Sequence, residues 1–147
     1  MYSKEEAAKL RHEFWIAFGR YMQPVPSATG EPVNWLNYKT GIKGIQFKKD
    51  ALQKYAFVSI DIRGDEFFRE KIFGYFKSLY AIFSPEWQWY PNAIDEHGKE
   101  FSRIIIEEQG INLFDKEQWP VLISFFKNES IFFDALWAEH GEILMLL

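Results

Sequence analysis

The chain has 147 residues and a formal net charge of −4, and its length suits one α+β domain over residues 1–147. Apolar residues make up 48% and aromatic residues 19%, which predicts a packed globule and excludes a disordered chain. Cysteine is absent, which excludes disulfides and thiolate metal sites, and no apolar run approaches the roughly 20 residues of a membrane span. The charged start lacks the apolar core of a signal peptide, so we expect a cytoplasmic protein.

The first predicted element is a helix over residues 4–22. Ser3 and Glu6 have the spacing of a capping box, in which each side chain bonds the other residue's backbone N–H. Apolar residues then recur at helical spacing up to Tyr21. Pro24 and Pro26 end the pattern and predict a loop.

Three strands are predicted next. The stretches are "VNWLNYK" (33–39), "GIQFKK" (44–49) and "KYAFVSIDIRG" (54–64). The third alternates most clearly, with Val58 and Ile60 on one face and Ser59 and Asp61 on the other. Short turns join the three stretches, which predicts an antiparallel meander.

A second helix is predicted to begin at Gly64-Asp65 and to end at Pro85. The stretch "EWQWY" (86–90) then predicts a fourth strand and "FSRIIIEE" (101–108) a fifth. Within "PEWQWYP" (85–91), the tryptophans suit either core packing or a stacking platform for a base or sugar ring. Two flanking prolines predict a short strand at a sheet edge. Interpretation of the stretch as a strand favours core packing of its tryptophans.

The last predicted element is a long helix. Asp115 and Gln118 resemble a capping pair, although Pro120 favours a later start or a kink. His140-Gly141 predicts the end of the helix, and the apolar tail "EILMLL" must be covered by the core or by another chain. The order α-β-β-β-α-β-β-α predicts an α+β fold, a mainly antiparallel five-stranded sheet with helices packed on it.

Several of these stretches resemble one family, the bacterial and archaeal domain of unknown function 4268. The quoted stretches are "EFW", "NWLNYKTGIKGIQFK", "YAFVSIDIRGDEFFREKIFGYF", "PEWQW" and "DKEQWPVLISFF". The resemblance runs over nearly the whole chain and implies no established activity. It implies an association with nuclease-like proteins, to which such domains are often attached, and it supplies no catalytic residues.

A nuclease site of the restriction-enzyme type would need an Asp and an Asp/Glu-x-Lys pair, because the carboxylates bind a divalent metal and the lysine steadies the attacking water. No lysine here has Asp or Glu two residues before it, and the nearest variant is Gln46-Phe47-Lys48 with Asp61 as the acid. The three histidines have no spacing that predicts a metal site. We therefore predict no catalytic residue, no metal and no cofactor.

Charge is unevenly distributed along the chain. A lysine-rich stretch is predicted to form a hairpin: Lys39, Lys43, Lys48, Lys49 and Lys54. From Glu107 to the end, the acidic residues are Glu107, Glu108, Asp115, Glu117, Glu129, Asp134, Glu139 and Glu142. The two regions suit either two solvated faces or mutual attraction, within one chain or between chains. The lysines also give one candidate function, a nucleic-acid-binding or degenerate nuclease domain using the Lys39–Lys54 hairpin.

The favoured candidate function is a non-catalytic accessory or protein-interaction domain. The last helix carries a second apolar line that includes Val121, Phe125 and Phe132. A helix that is apolar around so much of its circumference is either deeply buried or part of an interface. The expected partner is a second copy of the chain in a homodimer, or a nuclease-like or defence-type protein.

Overall fold

The computed structural model describes residues 2–147 and begins with helix α1, Lys4–Met22. The hydroxyl of Ser3 accepts a hydrogen bond from the backbone N–H of Glu6 at 3.1 Å, which satisfies one of the free donors of the first turn. Both bounds of the predicted first helix are confirmed. Its buried side chains are Phe14, Phe18 and Met22.

Strands β1 (Ile45–Ala51) and β2 (Tyr55–Ile62) form an antiparallel hairpin. Ile45 lies opposite Ile62 and Ala51 lies opposite Ala56, so the register runs without interruption along both strands. Because side chains alternate along a strand, this register places the aliphatic positions of both strands on one face, whereas Phe57 lies on the other, below the Arg103 guanidinium. The hairpin confirms the second and third of the predicted strands.

Helix α2 (Glu66–Ser78) begins at the predicted Gly64-Asp65 step. The Asp65 carboxylate accepts from the backbone N–H of Phe68 at 2.8 Å, and its negative charge suits the positive end of the helix. A single 3₁₀ turn, Tyr80–Ile82, follows the helix before Pro85.

Strands β3 (Gln88–Ile94) and β4 (Glu100–Gln109) form the second antiparallel hairpin. The prediction that β3 ends at Pro91 is wrong, because the strand continues to Ile94 after a register shift between Tyr90 and Ala93. The buried Arg69 guanidinium and the Ser102 hydroxyl both donate to the carbonyl oxygen of Pro91. These donors satisfy the Pro91 carbonyl oxygen at the point where the register shift interrupts the ladder.

Helix α3 spans Trp119–Met145, with Pro120 in its first turn, where no helical hydrogen bond needs the missing N–H. Asp115 instead caps the 3₁₀ turn Lys116–Gln118 that precedes the helix. The prediction that α3 ends at Gly141 is wrong, since Gly141 is buried inside the helix with the Trp137 indole packed beside it. No helix within residues 2–147 is long and apolar enough to cross a bilayer.

The sheet has four strands in the order β1-β2-β4-β3, all antiparallel. The prediction of five strands is therefore wrong, and the order of elements is α-β-β-α-β-β-α. The α+β fold is confirmed, and β3 lies at an edge of the sheet as its prolines predicted.

The missing strand is the stretch 33–39, which forms a loop. The Asn34 side-chain oxygen accepts from the backbone N–H groups of Leu36 and Asn37, at 3.1 and 3.0 Å. Those donors are then satisfied locally rather than by a neighbouring strand. Buried Asp134 of α3 accepts from the Tyr38 hydroxyl and from the Ala28 backbone N–H, which fastens this loop to α3.

The helices pack on one face of the sheet, which we call the inner face. Phe47 of β1 stacks on Phe133 of α3 with 4.2 Å between ring centroids, and Ile60 and Ile104 at the centre of this face are fully buried. Lys48, Asp61 and Arg103 lie on the opposite, outer face, since they alternate with these apolar positions.

Candidate functional site

The five lysines of the predicted hairpin do not form one surface. Lys39 and Lys43 lie exposed in the loop before β1, and Lys54 lies exposed in the turn between β1 and β2. Lys48 and Lys49 are on opposite faces of β1, because side chains alternate along a strand. The structure therefore divides the candidate phosphate-binding residues among separate places.

Lys49 lies on the inner face, with its ammonium 5.3 Å from the ring centroid of Phe47 and 5.9 Å from that of Phe18. Burial lowers the pKa of Lys49 to about 8, because the charged amine loses hydration there. A lysine among core aromatic rings is badly placed to bind a phosphate backbone together with Lys48.

Asp61, Gln46 and Lys48 do come together on the outer face. Asp61 is opposite Gln46 in the hairpin register, and its carboxylate is 3.9 Å from the Lys48 ammonium. Arg103 of β4, also opposite Asp61, donates to both carboxylate oxygens at 2.8 Å. The guanidinium thus already engages both oxygens of the carboxylate that a nuclease site would need for its metal ion.

Sequence reasoning missed Arg103, although "FSRIIIEE" shows its charge within an apolar strand. Its relation to Asp61 depends on β2 and β4 being neighbours, which the separate patterns of the two strands do not show. Among the residues from 2 to 147, no three His, Cys, Asp or Glu side chains converge to hold a metal ion.

The tryptophans of "PEWQWYP" pack in the interior. Trp87 is buried against Phe83 and Phe132, and Trp89 makes edge-to-face contacts with Phe73 and Phe83. These contacts cover the faces and edges of the rings that a stacking platform would need to expose to a ligand. The interpretation of this stretch as a core-packing strand is supported.

The predicted interaction face of α3 is divided by the packing. The Phe132 ring lies against Phe83 and Trp87, at centroid distances of 5.1 and 5.9 Å, so it belongs to the interior. Val121 is 55% exposed, and Phe125 is half-buried one helical turn further on. Both line a groove between the first half of α3, the segment 84–86 and the end of β4.

We call this groove, which has a volume of about 630 Å³, the α3 groove. Val121, Phe125 and the nearly buried Ile106 give it apolar walls. Three carboxylates belong to it as well: Glu86, Glu108 and Glu129. Glu107 also borders the groove, but its side chain alternates to the outer face, where its negative charge raises the pKa of Arg103. Among residues 2–147, none of the three groove carboxylates forms an ion pair.

Glu129 and Glu86 differ in their electrostatic surroundings. Burial raises the pKa of Glu129, and the negative charge of Glu86 raises it further. Glu86 is fully exposed, and a hydrogen bond from the Ser84 side chain lowers its pKa. The α3 groove therefore holds an ionisable acid whose charged form is disfavoured by desolvation and by a neighbouring carboxylate.

Three other grooves are larger, but their lining gives less indication of a ligand. One, of about 950 Å³, lies between the end of α1 and the loop that follows it. The other two, of about 740 and 690 Å³, are both lined by Arg63, which is already paired with Asp95 at 2.8 Å.

The described residues thus form an antiparallel sheet covered by helices on one face. The α3 groove at its surface combines carboxylates with apolar walls. The family model of the domain of unknown function DUF4268 matches residues 10–141, so the chain belongs to this family, as the resemblance predicted. No curated protein and no solved structure matches the chain.

Proposed function

We propose that this chain is a non-catalytic protein-interaction domain that docks a partner protein in the α3 groove. It acts in the cytoplasm as an accessory unit. The partner class implied by the family resemblance is a nuclease-like or defence-type protein of the same bacterial or archaeal cell, and a second copy of the chain is the alternative partner.

The exposure of Val121 beside Phe125 is the observation that supports this proposal most. Two apolar side chains on the wall of a concave surface gain free energy when a partner removes them from water, about 25 cal/mol for each Å² of apolar area. An aromatic ring in the wall of such a groove is the kind of residue that dominates interface energetics.

Photo-crosslinking in the native host tests this proposal. The photoreactive amino acid p-benzoylphenylalanine is placed at position 121 and, as the control, at position 5 on the exposed start of α1. We expect a defined covalent adduct from position 121 and none from position 5, with mass spectrometry identifying the partner. Equal labelling at both positions, or no adduct at position 121, would contradict the proposal.

The purified partner then allows a quantitative test with Val121→Ser. The variant should bind about 5- to 10-fold more weakly, because burial of most of a valine side chain contributes about 1–1.5 kcal/mol. The fold should be unaffected, since Val121 is mostly exposed. Affinity equal to that of the wild type would place the interface elsewhere.

Light scattering at micromolar concentration tests the homodimer version. A mass near twice 17.5 kDa that Val121→Ser lowers would make the partner a second copy. A strict monomer at all concentrations would leave a different protein as the partner.

The nucleic-acid alternative has less support. Its lysines lie in separate places, and Asp61 neutralises part of the positive charge near Lys48 and Arg103. The net charge of −4 also gives no general attraction to a phosphate backbone.

A further inference from the structure

We propose that the α3 groove takes a lysine- or arginine-rich segment of its partner, one with apolar side chains between the basic ones. The inference rests on the proposed function, since it assigns the chemistry of the partner at the same groove. Its basis is the combination of three carboxylates without ion-pair partners among residues 2–147 with apolar walls in one concave surface.

The spread of the carboxylates indicates an extended cationic ligand rather than a metal ion. Glu86 lies before β3, Glu108 lies at the end of β4, and Glu129 lies on α3. Within the described part of the chain, no three acidic or histidine side chains approach closely enough to share a metal. A row of separate ammonium or guanidinium groups matches separate carboxylates, whereas one small cation needs them at a single point.

Val121 and Phe125 indicate that the ligand carries apolar side chains as well as positive charges. A purely polar basic segment would leave these apolar side chains in contact with water. A segment that alternates basic and apolar residues covers both kinds of surface at once, which is the basis of specificity in a mixed groove.

The surroundings of the Glu129 carboxylate favour the binding of a positive charge in the groove. Its carboxylate is partly desolvated beside the Glu86 carboxylate, and it has no cationic partner within residues 2–147. The free domain therefore carries an electrostatic cost that a cation from the partner would relieve.

A separate protein suits these charges better than a second copy. The chain has a net charge of −4, so two copies repel one another at long range. A basic partner is attracted by the same field, and the attraction weakens as salt screens it.

Fluorescence anisotropy with two synthetic 14-residue probes tests the inference. One probe alternates lysine with leucine and valine, and the other has glutamate in place of every lysine. We expect the lysine probe to bind, with affinity falling at least 10-fold between 50 and 300 mM NaCl, and the glutamate probe not to bind.

The double variant Glu108→Gln/Glu129→Gln is compared with Glu139→Gln/Glu142→Gln, which removes the same charge from exposed positions near the other end of α3. The groove variant should weaken binding of the lysine probe at least 10-fold, and the control variant less than 2-fold. Equal loss in both variants would mean general attraction to an acidic protein and would overturn the inference.

Stability gives a second readout. Glu129→Gln should raise the urea midpoint of the free domain, because it removes a desolvated charge, and should still weaken probe binding. A lower midpoint would assign Glu129 a structural role and contradict its assignment here.

Failure of this inference can be told from failure of the proposed function. A partner captured at position 121 whose affinity is unchanged in Glu108→Gln/Glu129→Gln would refute the cationic ligand while retaining the docking groove. Absence of any adduct at position 121 would refute the function itself.

Discussion

Lys48 and Lys49 are neighbours in the chain, yet they lie in opposite environments. The Lys48 side chain is about half exposed beside the Asp61 carboxylate, whereas Lys49 extends over the rings of Phe18 and Phe47. Alternation along β1 alone decides this difference. A surface role for the lysine cluster must therefore be assigned residue by residue.

The pKa of Lys49 predicts how stability varies with pH. Its value of about 8 in the folded protein is lower than the ordinary value of about 10.4 in the unfolded chain. Between these values the unfolded state binds more protons, so the contribution of Lys49 to stability rises with pH. Lys49→Met should therefore be more stable than the wild type at pH 7, and its advantage should shrink by about 1–2 kcal/mol by pH 9.5.

Urea unfolding of both proteins at pH 7, 8.5 and 9.5 measures this difference, since groups common to both cancel. Lys48→Met is the control variant, because the half-exposed amine on the outer face carries little burial cost. An advantage of Lys49→Met that stays constant across this range would contradict a desolvated amine at position 49.

At the scale of elements, glycines show how packing overrides local pattern. Gly141 follows His140 and resembles a helix C-cap, but α3 continues to Met145. A β-carbon at position 141 would lie 3.0 Å from the Trp137 indole nitrogen, which donates to the Thr40 carbonyl oxygen. The small side chain is needed for this close approach rather than for ending the helix.

Gly141→Ala and Gly74→Ala form a matched pair. Trp137 is held by its hydrogen bond and by stacking on Phe133, so Gly141→Ala should lower the free energy of unfolding by about 1–2 kcal/mol despite the better helix propensity of alanine. Gly74 lies in α2 with open space around it, so Gly74→Ala should raise that energy by about 0.5–1 kcal/mol. Urea denaturation of both variants measures the two changes. An increase in the free energy of unfolding for both variants would mean that the Trp137 side chain can move to accommodate the added methyl group.

At the scale of the whole molecule, charge separates the two candidate functions. The α3 groove collects carboxylates without ion-pair partners among residues 2–147, while the positive charge nearest the centre of the outer face is partly neutralised by Asp61. A domain with this distribution attracts basic partners more readily than phosphate backbones.

We accordingly expect no retention of single-stranded DNA or RNA in an electrophoretic mobility assay at 50 mM NaCl. Lys43→Glu/Lys48→Glu reverses one lysine of the loop before β1 and one of the outer face, and neither is buried. Retention by the wild type that this variant abolishes, and that falls steeply with added salt, would favour the nucleic-acid alternative.

Periodicity and capping alone located most elements of this fold. Helix α1 with its Ser3 cap, the β1–β2 hairpin, the start of α2 and the edge position of β3 all follow from signals that lie within a few residues of one another. The resemblance of several short stretches to one family agrees with the family match over residues 10–141. Local signals of this kind can be recognised in the sequence alone, because they act between residues that are close together in the chain.

Only the tertiary structure decided the rest, because the deciding contacts join residues far apart in the chain. Asp134 fastens the loop that resembles a strand at 33–39, and Arg103 pairs with Asp61 only because β4 lies beside β2. Phe132 is taken into the core by Phe83 and Trp87, while Val121 and Phe125 stay on the wall of a groove whose carboxylates come from three separate segments. The sequence by itself determined most of the elements and their apolar faces. The packing of those faces decided which charges and rings are left at the surface to meet a partner.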